Sequence, residues 1–161
     1  MLQVLEYRRH PRTILAPALV LVLLTCCGCG DGRPSRVPVS GQVLIDGQPL
    51  KCGYIRFVPA DHRPSQGNID ANGRFTLSCF EENDGVVIGR HNVAVRATEM
   101  VNERLMRWHA PKKYAETQTS GLTQEITGPT DKLIINLTWD GEKPFDEKYE
   151  LPIEPGGEGK Y

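Results

Sequence analysis

"VPVSGQVLIDGQPLKCGYIRFVPA", Val37 to Ala60, decides the fold class of this chain. Val37, Val39, Gly41, Val43 and Ile45 recur at every second position, the spacing that puts side chains on one face of a β-strand. Asp46-Gly47 then supplies a turn, because Asp bonds its own backbone, Gly accepts positive φ, and Pro49 interrupts any ladder. "YIRFVP", with Ile55 and Phe57 on one side, is the return strand of a predicted hairpin.

The same alternation runs outward from this stretch. "GNIDANGRFTLSCF", residues 67–80, predicts a second hairpin, with Asn72-Gly73 at the tight turn and Phe75, Leu77 and Cys79 facing inward. "GRHNVAVRAT", residues 89–98, repeats the pattern through His91, Val93, Val95 and Ala97. "SGLTQEITGPTDKLIINLTW", residues 120–139, puts Leu122 to Ile126 and Leu133 to Leu137 either side of a Gly-Pro turn, with Leu133, Ile135 and Leu137 on one face. About seven short strands separated by turn residues predict an all-β, two-sheet sandwich. One stretch departs from this. In "EMVNERLMRWHAPKKY", residues 99–114, Val101, Leu105 and Trp108 fit one face of a short helix stopped by Pro111, or an irregular loop. Beyond Trp139 the chain is charged and rich in Pro and Gly, which predicts a mobile tail over 141–161 with at most an edge strand at Tyr149 to Ile153.

The N-terminus reads differently. Arg8, Arg9 and Arg12 precede "ILAPALVLVLL", Ile14 to Leu24, an uncharged run of eleven residues. As a helix it reaches about 16 Å, half of a hydrocarbon core of about 30 Å. A basic region, a short apolar run and then small residues predict a secretory signal peptide, cleaved from the mature chain. The following "LLTCCGCGDG", residues 23–32, resembles a bacterial lipobox, in which a Leu, two small residues and a Cys direct lipid transfer to the thiol. Cys27 has Leu24 at the Leu position; Cys29 has the better Gly28 immediately before it. Cys27 is preferred and Cys29 is the alternative. The predicted organisation is a signal peptide over 1–26, a flexible linker over 27–36, the sandwich over 37–140 and the tail over 141–161. A zinc site needs a second cysteine pair downstream, and none follows.

Composition narrows the function classes. Nineteen basic and twenty acidic residues leave no electrostatic footprint for nucleic acid. Loss of residues 1–26 takes away Arg8, Arg9, Arg12 and Glu6, which leaves 16 basic and 19 acidic residues.

"VSGQVLIDGQPL" (39–50), "DANGRFTL" (70–77) and "KKYAETQTSGLTQEI" with "DKLIINL" (112–126 and 131–137) together resemble the bacterial lipoproteins that carry a carboxypeptidase regulatory-like domain. The resemblance covers residues 37–138. It implies a transthyretin-like β-sandwich that is a non-catalytic folding or binding module with no established ligand. His91 stands where that family usually has an aromatic residue, often Tyr. The Tyr-Arg-Gly-Ser signature of the hydroxyisourate-hydrolysing relatives is missing from the "GGEGKY" end.

Candidate chemistry is sparse. "NIDANG" places Asn68, Asp70 and Asn72 as in a calcium loop, but Cys79 stands where the bidentate Glu belongs, so a plain turn is the expectation and no metal or other cofactor is implied. No G-x-S-x-G elbow accompanies His10, His62, His91 or His109, so no enzyme is expected. Asn136-Leu137-Thr138 matches a glycosylation sequon, accidental in a bacterial strand. Cys52 and Cys79 are either a disulfide across a loop of about 28 residues or, for Cys79, a small core residue. Trp108, His109 and Tyr114 are the candidate aromatic platform for a glycan or an envelope protein. The sequence thus predicts an exported, lipid-anchored, non-catalytic module whose partners are the membrane, through its N-terminal lipid, and an envelope protein or glycan.

Overall fold

In a computed structural model of the protein, residues 32–148 are described. The signal peptide, Cys27, Cys29 and the edge strand predicted at Tyr149 to Ile153 lie outside them. The chain divides into Met1–Arg33 and Pro34–Tyr161, and the fold belongs to the second unit.

The fold is an all-β sandwich. Its strands, among the described residues, are β1 (Arg36–Val37), β2 (Val39–Ile45), β3 (Gln48–Pro49), β4 (Tyr54–Pro59), β5 (Ser65–Asn68), β6 (Arg74–Thr76) and β7 (Val86–Val87). They continue with β8 (Gly89–Arg96), β9 (Thr98–Asn102), β10 (Leu105–Trp108), β11 (Leu122–Ile126), β12 (Thr130–Leu137) and β13 (Phe145–Lys148). Among the described residues the one helical element is a single 3-10 turn at Lys112–Ala115.

One sheet has the order β11-β8-β4-β5, antiparallel throughout. The other is centred on β2, which pairs with β12 in parallel on one side and with β3 and β6 on the other. Alternation does the rest. Val39 and Val43 of β2, Phe75 of β6 and Ile135 and Leu137 of β12 share a buried core with Ile55 and Phe57 of β4 and Val93 and Val95 of β8. Each such side chain contributes about 1.5–3 kcal/mol on leaving water. β1 pairs with β7, and β9, β10 and β13 form a small third sheet.

The turns predicted from sequence are present, but they connect different strands. Asp46 and Gly47 hold φ of 47° and 76°, and β2 returns through them only as far as β3, which pairs at Leu44 and Ile45. β4 leaves β2 and enters the opposite sheet between β5 and β8. Asn72-Gly73 likewise turns the chain, with Gly73 N–H donating to Asp70 O, yet β5 and β6 belong to different sheets. Asp46-Gly47 thus closes only the short β2–β3 hairpin, with the change of sheet falling between β3 and β4, whereas Asn72-Gly73 is itself a corner between sheets. Such corners and the two-residue strands raise the strand number above the seven expected.

Residues 98–108 form a β-hairpin and not a helix. Thr98 pairs with Trp108 and Met100 with Met106, and Asn102 Oδ1 accepts the Arg104 N–H at the turn. In that pairing Trp108 is buried while Val101 is exposed, so the residues at helical spacing do not share one buried face. Residues 145–148, placed by sequence in a mobile tail, form β13 against β10; Arg107 meets Asp146 with two bonds of 2.7 and 3.0 Å, and Phe145 stacks on Trp108.

His91 occupies an inward position of β8, buried beside the Phe57 ring at 5.8 Å between centroids. Its Nε2–H donates to Val87 O at 2.8 Å, and Nδ1 has no partner among the described residues. Burial lowers its pKa, against the opposing pull of the Val87 carbonyl and the charge of Glu125. A depressed His pKa contributes stability that is fully present above the unfolded value, about 6.5, and is lost as pH falls toward the folded value. Chemical denaturation from pH 7 to pH 5 is therefore expected to show stability declining, and His91→Gln to flatten that decline.

Candidate functional site

The outward rows of β4, β5 and β6 carry the polar residues that the inward rows exclude. Ile55 and Phe57 face the core, so Tyr54 and Arg56 face out. Opposite them in register stand Asn68, paired with Tyr54, and Gln66, paired with Arg56. β6 adds Arg74 and Thr76. These rows line an open groove of about 810 Å³.

The groove exists because the two sheets meet at its floor. Gln66 N–H donates to Ser78 O at 2.9 Å and Ser78 N–H returns to Gln66 O at 2.8 Å. Between these strands Gly67 lets the Thr76 carbonyl approach so closely that a Cβ at position 67 would sit 2.3 Å from its oxygen. The outer edge of β5 is thereby occupied by backbone.

A short loop closes one end. Asp84 accepts backbone N–H bonds from Cys79 (2.6 Å), Phe80 (3.0 Å) and Glu81 (3.1 Å), and Asn83 N–H donates to Ser78 Oγ at 2.8 Å. Arg36 Nε lies 2.9 Å from Asp84 Oδ2, an ion pair. The Asp84 carboxyl is held below the ordinary carboxylate range: burial opposes its charge, but the three N–H donors and Arg36 outweigh that penalty. Ser78, Glu82 and Asn83 of this loop face the groove.

The groove carries two arginines, Arg56 and Arg74, and two carboxylates, Asp70 and Glu82. Neither the Arg56 nor the Arg74 guanidinium has a hydrogen-bond or ion-pair partner among the described residues. Arg36 and Arg107, by contrast, are paired with Asp84 and Asp146. Asp70, also in the lining, accepts the N–H groups of Asn72 and Arg74 at Oδ1, both at 2.8 Å, so its carboxylate builds the turn. No histidine among the described residues lines the groove. The arrangement offers a bound molecule hydrogen bonds and two unpartnered guanidiniums beside two carboxylates.

The residues singled out from sequence lie elsewhere. Trp108 and Tyr114 are buried, at 5 and 6% exposure, so Trp108, His109 and Tyr114 do not form an exposed platform. Trp108 donates through Nε1 to Glu147 Oε2 at 2.8 Å, stacks on Phe145 at 6.1 Å, and has Arg96 and Lys112 over its ring. Hydrogen bonds from Lys112 and from Trp108 hold the Glu147 carboxyl below its ordinary range. Tyr114 sits in the core with its hydroxyl accepting the Thr138 N–H, and His109 pairs with Glu99 at 3.0 Å. β13, unforeseen in the sequence, is what covers the tryptophan.

Cys52 and Cys79 are both free. Cys52 precedes β4, where burial and the charge of Glu99 raise its thiol pKa. Cys79 Sγ lies 3.6 Å from Arg63 O, beyond the other end of the β4–β5 ladder. About five residues of strand, roughly 16 Å, separate the two ends, whereas a disulfide needs Cα atoms within about 7 Å. Dithiothreitol is therefore expected to leave the melting temperature unchanged; a bridged pair would lose about 3–4 kcal/mol.

The groove residues escaped the sequence reading because alternation marks the buried face and leaves the outward one as generic polar surface. "YIRF", "SQGN" and "RFT" become one site only through the meeting of β5 with β6. Comparison with known proteins finds no matching family model, no similar curated protein and no similar solved structure.

Proposed function

We propose that this protein is an exported, lipid-anchored, non-catalytic β-sandwich that serves as a binding module of the bacterial cell envelope, as its resemblance to the carboxypeptidase regulatory-like lipoproteins implies. The observation that carries the binding role is the open groove with two unpartnered guanidiniums, Arg56 and Arg74. A guanidinium is an obligate donor that gains most from a carboxylate or phosphate partner, so an unpaired couple facing one groove favours a bound anion.

The anchoring role is carried by the sequence. Arg8, Arg9 and Arg12, the apolar run Ile14 to Leu24 and the cysteines after it supply a leader and a thiol for acylation at Cys27, or at Cys29. Two or three acyl chains, at about 0.8 kcal/mol for each buried methylene, hold a chain on a bilayer far more firmly than one. The Gly, Pro and polar residues over 28–36 then act as a spacer.

Fractionation of the producing cell tests this reading. The protein is expected to sediment with membranes, to resist high salt and alkaline carbonate, and to be released by detergent. The double change Cys27→Ser with Cys29→Ser is expected to abolish this retention. A wild-type protein recovered in the soluble fraction would overturn the anchored reading.

A further inference from the structure

We propose that the β4–β5–β6 groove binds a linear saccharide chain bearing carboxylates. This inference rests on the reading of the protein as a binding module and names the chemistry of its ligand. Four observations converge on it.

The first is charge. Arg56 and Arg74 are unpartnered and face the same groove, so a ligand carrying separated negative groups completes both. The second is hydrogen-bonding character. Gln66, Asn68 and Asn83 add amides that both donate and accept, which suits hydroxyl groups that also do both, and Tyr54, 40% exposed, adds a ring face beside them.

The third is shape. A smaller recess of about 380 Å³ shares Arg56, Gln66, Ser78 and Glu82 with the groove and continues it to Arg63 and Pro64. The combined furrow follows β5 from Asn68 past Ser65, a run suited to an extended chain. The fourth is what the furrow refuses. A peptide adding as a strand needs a free sheet edge, and the edge of β5 is bonded to Ser78 through both Gln66 backbone groups. Glu82 and Asp70, which line the same groove, repel a ligand as densely charged as nucleic acid, and a carboxylate such as Glu82 can accept hydrogen bonds from hydroxyls. Isolated carboxylates on a hydroxyl-rich backbone fit all four.

The test is affinity electrophoresis of the detergent-extracted full chain in gels containing polygalacturonate, neutral dextran or polyglutamate. Retardation by polygalacturonate is expected, weakening as salt is raised, with little by dextran or polyglutamate. The double change Arg56→Gln with Arg74→Gln is expected to lower the polygalacturonate affinity at least roughly tenfold at an unchanged melting temperature. Arg104→Gln, at the turn of the β9–β10 hairpin, is expected to bind as wild type. Equal retardation by polyglutamate would make the ligand an acidic peptide and overturn the inference, while the binding-module reading would stand. Equal retardation by dextran, or an unaffected double variant, would remove the arginines from recognition. Absence of retardation in all three gels would refute the saccharide site and leave membrane attachment to be judged by fractionation.

Discussion

Gly41→Ala unfolds the domain or leaves it barely stable. Gly41 lies inward on β2 between Val39 and Val43, opposite Leu133 of β12 in the parallel ladder and opposite Phe75 of β6. A Cβ there would stand 2.1 Å from Leu133 O and 2.9 Å from Leu133 Cβ. The obstacle is strand backbone bonded in register, which cannot turn aside as a side chain can. Relief requires β12 to separate from β2, and with it Ile135 and Leu137 leave the core. A cost on the order of 4 kcal/mol follows, a large share of the 5–15 kcal/mol that holds a domain of this size together. Urea denaturation measures it. Gly128→Ala is the control, because a Cβ at Gly128 meets nothing within 4 Å, and a change within about 0.5 kcal/mol is expected there. A Gly41→Ala protein as stable as wild type would mean that β2 and β12 are not paired in this register.

Asp84→Ala lowers stability by about 3 kcal/mol, since it strips three backbone N–H groups and the Arg36 guanidinium of one shared partner. Asp84→Asn keeps one acceptor oxygen and loses the charge, so its cost is smaller. The pH dependence has a definite sign. The folded pKa of Asp84 is lowered, so its contribution is complete above the unfolded value of about 3.9 and disappears as pH falls through the folded value. Acid unfolding of Asp84→Asn is therefore expected to be less steep in that range than acid unfolding of the wild type. The effect reaches the groove as well. Ser78, Glu82 and Asn83 stand on the loop that Asp84 organises, so Asp84→Ala is expected to loosen the groove wall before the core.

How far the sequence could be read depends on what each signal reports. Period-two spacing reports which residues face the core, and Val39, Val43, Phe75, Leu77, His91, Val93, Val95 and Ala97 are all buried as the alternation requires. It is silent on which strand lies beside which. The parallel pairing of β2 with β12 joins residues about ninety positions apart, and no local pattern encodes it. Turn chemistry marked Asp46-Gly47 and Asn72-Gly73, but the same turn serves a hairpin or a corner between sheets, and here the first closes the short β2–β3 hairpin while the second is a corner.

The 98–108 stretch imitates a short helix in sequence because Val101, Leu105 and Trp108 fall at helical spacing by coincidence of a hairpin turn. The strand register is set by pairing, which also brings charged β13 over Trp108. That cover leaves Trp108 buried. The site itself was the least legible part. Tyr54, Arg56, Gln66, Asn68 and Arg74 are unremarkable polar residues until Gly67 allows two sheets to close over a common floor.

Export and acylation underlie the proposed function, and the mass of the intact chain extracted from its own membranes reports them directly. The mass predicted is that of a chain starting at Cys27, or at Cys29, with fatty acyl groups added to its first residue. A mass matching an unmodified chain that starts at Met1 would contradict it.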